Sequence, residues 1–195
     1  MTGPKGEVTV QEPTPAERTV ARRAAEARAT VPDLELTVSW PALTAQATER
    51  LLGACAAALR QHPRANAAYR DGHFELYSRI NVGVVLATPE QYLIPTVYDA
   101  DQRALSELAA ELEQLRARAA SGQLSASAFS GATFTLWNAG ELGIARASIP
   151  IVPPQAAALA AGTESLSLVC DHRILYGAQA ASFLTTVRRL LEQQG

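Results

Sequence analysis

Residues 80–88 read Ile-Asn-Val-Gly-Val-Val-Leu-Ala-Thr, a β-rich run with no polar alternation through its middle. A strand with one wet face alternates apolar and polar side chains, whereas an unbroken apolar run demands cover on both faces. The run therefore predicts a central strand, and the rest of the chain must supply the layers around it. Leu51, Leu52, Cys55 and Leu59 recur at helical spacing within 44–61. Leu105, Leu108, Leu112 and Leu115 do the same within 101–120, with Gly122 as the stop signal. Ala181, Leu184, Val187 and Leu191 mark the buried face of a last helix over 176–194. Leu34, Leu36 and Val38 alternate with polar residues, as in a half-buried strand. Residues 93–97, 133–137 and 165–169 read as further strands, and Asp71-Gly72 between Tyr69 and Phe74 as a hairpin turn. Strands and helices mix without strict strand–helix–strand alternation, which predicts an α+β two-layer sandwich.

Composition narrows the function classes. A chain of 195 residues with 48% hydrophobic content buries a core without staples. The net charge is −2 and Lys5 is the single lysine among 17 basic residues, so no basic stripe points to nucleic acid. Cys55 and Cys170 lie inside apolar runs without Cys-x-x-Cys spacing and read as small core residues of a reducing, cytoplasmic compartment. No run approaches membrane-spanning length and no secretion signal is visible, so neither membrane nor export is expected. Residues 1–16 are polar and hold three of the eleven prolines. They read as a flexible N-terminal arm before a domain over 17–195, with Val8 and Val10 suited to edge-strand docking on a neighbouring subunit. The Arg-rich stretch 17–29 reads as a helix stopped by Val31-Pro32.

Three histidines are candidates for chemistry. His62 stands at a helix end beside Pro63 and reads as a C-terminal cap; His73 follows the hairpin turn and reads as exposed. His172 lies in VCDHRILYGA, between Asp171 and Arg173, after a buried strand and before a helix that starts at Gly177. Backbone can pin such a ring while one nitrogen faces a cleft, which leaves a structural histidine and a catalytic base as even alternatives. No Cys, His, Asp or Glu set has metal-ligand spacing around it, so no metal is expected. Gly-x-Ser-x-Gly, Gly-x-Gly-x-x-Gly and P-loop motifs are missing from the sequence.

DHRILYGAQAASFL resembles the DHRxxDGAxxAxFL signature of the dihydrolipoamide acyltransferases, the catalytic domains of 2-oxo acid dehydrogenase complexes. HPRANAAY is similar to that family's HPxxNAxW, INVGVVLATP to its xNxGVAVATP, and SGATFTLWNAGELGI to its GGTFTxSNLGxxGI. IPIVPPQAAALAAG is similar to its xIINPPQxxILxxG, and VARRAAEARATVP to its opening helix. The motifs follow in order over roughly residues 17–192. The resemblance implies a chloramphenicol acetyltransferase-like fold, a mixed sheet covered by helices, and a homotrimer. It implies acyl transfer between coenzyme A and a second acceptor, with His172 taking the proton of the attacking thiol or hydroxyl. It also implies an oxyanion donor from a neighbouring subunit at the serine of TFTxSN.

Two supporting positions depart from the pattern. The serine position is Trp137, followed by Asn138, and the aspartate position four residues after the histidine is Tyr176. An indole N–H is a donor, but its bulk narrows a channel; Tyr176 keeps a hydroxyl without the charge, which leaves Arg18, Arg22 or Arg23 short of a partner. The asparagine of the family's NPP is Val152, and the short span from Gly162 to Ser165 implies a deleted hairpin. Two main readings stay open. One is a free-standing acyltransferase using coenzyme A or acyl-CoA, with a small-molecule hydroxyl or thiol as acceptor, as in natural-product tailoring, or a separate lipoyl carrier. The other is a catalytically impaired trimer that serves as scaffold or core of a 2-oxo acid dehydrogenase-type complex; a third and weaker alternative turns the interface channel to a non-acyl reaction or an apolar ligand.

Overall fold

The computed structural model describes residues 4, 6–40, 48–87 and 92–193. Helix α1 (Pro15–Thr30) opens on a reciprocal cap: Thr14 Oγ1 accepts from Glu17 N at 3.2 Å, and the Glu17 carboxylate accepts from Thr14 N at 2.6 Å. The Thr14 backbone N–H, helped by the Thr14 hydroxyl, holds the Glu17 carboxyl below the usual range. The helix thus begins two residues inside the stretch read as an arm. Ala27 is its one buried residue among those described.

Strand β1 (Asp33–Ser39) keeps the expected alternation, with Leu34, Leu36 and Val38 turned to the core. Helix α2 is Thr48–Gln61; the expected start at 44–47 lies outside the described residues. Strands β2 (Ala67–Arg70) and β3 (His73–Leu76) form the foreseen hairpin, and Asp71 and Gly72 both take positive φ, 49° and 81°. That pair of left-handed residues matches the right-handed strand twist.

The run at 80–88 is shorter as a strand than the sequence suggests. Strand β4 is Val82–Val84, buried throughout, and a separate ribbon of β5 (Leu86–Ala87) and β6 (Tyr92–Leu93) follows. Thr88 lies outside the described residues. Strand β7 (Thr96–Val97) is the edge beside β4, so the expected 93–97 strand is split. Pro95 explains the split: its carbonyl accepts from Val84 N at 2.8 Å, but it has no N–H to return.

Helix α3 (Leu105–Ala120) buries Leu108, Leu112 and Leu115, whereas Leu105 is 40% exposed. Strand β8 is Phe134–Asn138, β9 Ala157–Ala161, β10 Ser165–Asp171, and α4 Gly177–Glu192. The buried face of α4 holds Ala180 and Phe183 in place of the expected Ala181, with Leu184, Val187 and Leu191 as read; Gln194 is outside the described residues. Strand β9 was not foreseen. Its sequence, Ala-Ala-Leu-Ala-Ala, favours helix, and only the two strands on either side make it extended.

The six-stranded sheet runs β1-β10-β9-β8-β4-β7, with β8 parallel to both β4 and β9 and the other neighbours antiparallel. One face carries Leu36, Leu168, Leu159, Phe134, Leu136 and Val82 into the main core with α2, α3 and α4. On the other face Trp137 packs on Ala158, Ala160, Val85 and Ile149, and the latter comes from the long connection between β8 and β9. The architecture is the expected α+β layering over a mixed sheet, and β4 sits one place in from the edge. The central places go to β9 and β8.

Steric demand differs sharply between two glycines. A Cβ at Gly162, in the three-residue connection from β9 to β10, would overlap the backbone carbonyl of Ala145; at Gly177 it would meet nothing within 4 Å. Gly162→Ala is expected to cost about 1–3 kcal/mol. Gly177→Ala, at the first residue of α4, should be neutral or stabilising by up to about 1 kcal/mol. Urea unfolding of the two variants side by side checks the contrast.

Candidate active site

The site is built on the chain reversal that follows β10. Asp171 N donates to the Ala156 carbonyl at 2.8 Å and His172 N to the Pro32 carbonyl at 2.9 Å. Ile174 N and Leu175 N then both donate to the Asp171 carbonyl, each at 2.9 Å. Ile174 and Leu175 are fully buried, so the turn cannot shift without opening the core, while His172 between them and the strand stays exposed. Its Nδ1 lies 3.2 Å from the Leu175 carbonyl. A carbonyl only accepts, so Nδ1 carries the proton and Nε2 of the neutral ring presents its lone pair outward.

Asp171 is buried and holds the adjoining arginine in place. Its carboxylate accepts from Arg173 N at 2.9 Å, from Nε at 2.9 and 3.2 Å, and from NH2 at 2.7 Å. Hydrogen bonding and charge from Asp171 raise the Arg173 pKa above its already high value. The guanidinium lies 4.7 Å over the Tyr69 ring. Cys170, one residue earlier, is no nucleophile. Burial, helped by the charges of Asp171 and Asp33, pushes its thiol up to about 12.

Tyr176 caps the start of α4 and stands edge-on to His172, ring centroids 6.1 Å apart. The arginine that faces it is Arg64, with Cζ 5.4 Å from the Tyr176 ring and 4.4 Å from that of Phe74. Arg18 and Arg22, weighed as partners for position 176, are engaged within or just before α1, by the Pro13 carbonyl and by Glu26. Arg64, Tyr69 and Phe74 escaped notice as site residues. Arg64 and Tyr69 lie in HPRANAAY and Phe74 follows the hairpin turn, but no local pattern shows which strand end a hairpin leans on.

Asp171, His172, Arg173, Tyr176 and Gly177 therefore come together, but Trp137 and Asn138 do not join them. Trp137 pairs in register with Ala160, and Ala160 with Ser167. His172 is five residues beyond Ser167, roughly 16 Å along the strand and roughly 10 Å across two strand spacings from Trp137. Asn138 is buried and donates through Nδ2 to Thr48 Oγ1 at 3.0 Å and to Glu141 at 3.3 Å. Arg116 joins the same carboxylate at 2.7 Å. That network pins the end of β8 to α2 and α3.

His62, read as a cap, instead uses its ring to bond Thr186 Oγ1 at 3.0 Å, and burial lowers its pKa. His73 is exposed on β3 as read. Among the described residues no group of His, Cys, Asp and Glu converges to hold a metal, and no helix is long and apolar enough to cross a membrane.

The profile described as 2-oxoacid dehydrogenases acyltransferase (catalytic domain) matches residues 7–195. The chain belongs to that family. It is 33% identical over 162 residues to the dihydrolipoyllysine-residue acetyltransferase component of the mitochondrial pyruvate dehydrogenase complex of Dictyostelium discoideum, covering 73% of this chain and 26% of that protein. The corresponding component from Mycobacterium bovis is 36% identical over 160 residues, covering 70% and 29%. The chain thus spans between a quarter and a third of the length of these curated relatives. In fold it is similar to the Azotobacter vinelandii dihydrolipoamide acetyltransferase, with a TM-score of 0.90, 24% identity and 96% and 92% of the two chains covered. A chloramphenicol acetyltransferase superposes with a TM-score of 0.55 at 15% identity, over 87% and 94% of the two chains.

Asp171→Asn tests the cluster, because an amide cannot accept from all three arginine donors. The expected cost is about 1–3 kcal/mol of stability, read by chemical denaturation.

Proposed function

We propose that this chain is the acyl-transfer domain of a coenzyme A-dependent acyltransferase, with His172 as general base. The carrying observation is the 3.2 Å contact of His172 Nδ1 with the Leu175 carbonyl: a carbonyl can only accept, so this contact places the ring proton on Nδ1 and leaves Nε2 of the exposed ring for the acceptor. Nε2 takes the proton of the acceptor thiol or hydroxyl as its sulfur or oxygen attacks the thioester carbonyl of acyl-CoA. The tetrahedral oxyanion then collapses, the C–S bond to coenzyme A breaks, and the departing thiolate recovers the proton from the imidazolium. Similarity to dihydrolipoyllysine acetyltransferase components favours a dihydrolipoyl thiol as acceptor over a small-molecule hydroxyl. Lys5 is the sole lysine of these 195 residues, so the lipoyl group would be carried outside them.

The working unit in this reading is a homotrimer. Within one subunit position 137 is roughly 19 Å from His172 by strand register, so a donor at that position would reach the oxyanion from a neighbouring copy. Val8 and Val10, 77% and 81% exposed ahead of α1, suit an arm docked on that neighbour. Analytical ultracentrifugation should give three times the 20.7 kDa chain mass, and a single-chain mass at micromolar concentration would refute the trimer.

One observation favours a second reading as a trimeric scaffold. The serine position of the family motif is occupied by Trp137, wedged against Ala158, Ala160 and Ile149. Thiol release from acetyl-CoA with dihydrolipoamide separates the two. The acyltransferase predicts that His172→Ala lowers turnover at least about 100-fold while the melting temperature holds. It also predicts that Trp137→Ser raises the rate or widens the acceptor range. The scaffold predicts no turnover and no coenzyme A binding by calorimetry, with His172→Ala touching stability alone.

A further inference from the structure

One side chain beyond His172 lies a cation that the proposed chemistry leaves unused. Arg64 sits on the one-turn 3-10 helix Pro63–Ala65 that leads into β2. Its neighbour Asn66 is buried and donates through Nδ2 to the carbonyls of Tyr77 and Arg79 at 3.0 and 2.9 Å, which fixes this turn against the base of the hairpin. The Arg64 guanidinium is then held by two rings, Phe74 at 4.4 Å and Tyr176 at 5.4 Å.

Arg60 pairs with Asp101, Arg70 with Glu75, Arg79 with Asp99 and Arg173 with Asp171. Arg64 is half-buried, and among the described residues it has neither an ion pair nor a hydrogen bond. Aromatic faces hold the plane of a guanidinium and leave its edge, with the N–H donors, unoccupied. Such a fork is preorganised for a bidentate oxyanion. Tyr176 bridges it to the base, since the same ring touches His172 at 6.1 Å. Arg64 and His172 are thus no further apart than these two contacts laid end to end. The extended pantetheine arm between the thiol of coenzyme A and its first phosphate is longer than that, which favours a charge carried close to the reacting carbonyl.

We infer that Arg64, framed by Phe74 and Tyr176, is a carboxylate subsite, and that the protein selects a reacting partner bearing a second carboxylate near the transferred group. This rests on the acyl-transfer reading above. The carboxylate belongs either to the acyl chain, as in a dicarboxylic monothioester, or to the thiol acceptor.

The test compares succinyl-CoA with acetyl-CoA as donors, and dihydrolipoate with dihydrolipoamide as acceptors, in the wild type, Arg64→Gln and Arg64→Lys. The wild type should favour the carboxylate-bearing member of one pair by about tenfold or more in kcat/KM, as a charge-assisted bond implies. The pair that shows it names the source. Arg64→Gln should bring that ratio close to one, and Arg64→Lys should keep part of it. Equal use of both members in both pairs overturns the subsite, as does a uniform slowing of all combinations by Arg64→Gln. Should no combination turn over, the acyl-transfer reading fails by itself, and the subsite is judged by NMR. Millimolar succinate should then shift the Arg64 Nε–H signal, assigned by its loss in Arg64→Gln, where succinamide does not. No shift, or a shift with inorganic phosphate alone, overturns the carboxylate assignment.

Discussion

A backbone hydrogen bond from His172 N to the carbonyl of Pro32 ties the end of β10 to the residue that leads into β1. Along the seven paired positions from Asp33↔Asp171 to Ser39↔Ser165, that bond caps an antiparallel ladder whose register decides which face every side chain meets. A slip of one residue would turn Leu166, Leu168 and Cys170 out of the core and carry Ser165, Ser167 and Val169 in. The apolar side chains of β10 and the buried pair Ile174 and Leu175 therefore determine where the imidazole stands. The catalytic candidate is placed by burial on both sides of it, while the ring itself contributes little to the fold.

The polar groups around this turn divide the work. Asp171 is committed to Arg173, the Leu175 carbonyl to Nδ1–H of His172, and Cys170 is kept protonated by burial. Among the described residues, Nε2 of His172 and the edge of Arg64 keep unused hydrogen-bonding capacity. Acid–base chemistry and anion recognition need groups that the fold itself has not consumed, and the Tyr176 ring contacts both of these. The opposite logic holds at Asn138, whose amide is taken up by Thr48 and Glu141 and serves to anchor β8.

Much of the fold was legible in the residues. Helical stripes, the alternation of β1 and the Asp71-Gly72 turn each encode local structure through their own spacing, and the structure differs from them in detail at Leu105, which is exposed, and at Ala181, whose place in the core Ala180 and Phe183 take. Strand β9 was not, because five residues of Ala-Ala-Leu-Ala-Ala carry no local β signal and become extended only between β8 and β10. The 80–88 run was overextended for a similar reason: an apolar run reports burial, whereas the end of β4 is decided by a missing N–H at Pro95 across the ladder. At the site, DHRILYG signalled His172, Tyr176 and the turn. Arg64 stayed invisible, since its meaning depends on a hairpin reaching a strand end more than 100 residues later in the chain.

The alanines of β9 have a consequence for how this surface can vary. Trp137 rests on Ala158 and Ala160, and each methyl leaves the volume that the indole fills. The depth of the face at position 137 is thus written jointly on two strands. A larger residue at 158 or 160 would require a smaller one at 137, and a serine at 137 would leave a hollow unless the alanines grew. The three positions form a size-exchange set, in which bulk can migrate between strands while the contour of the sheet is preserved.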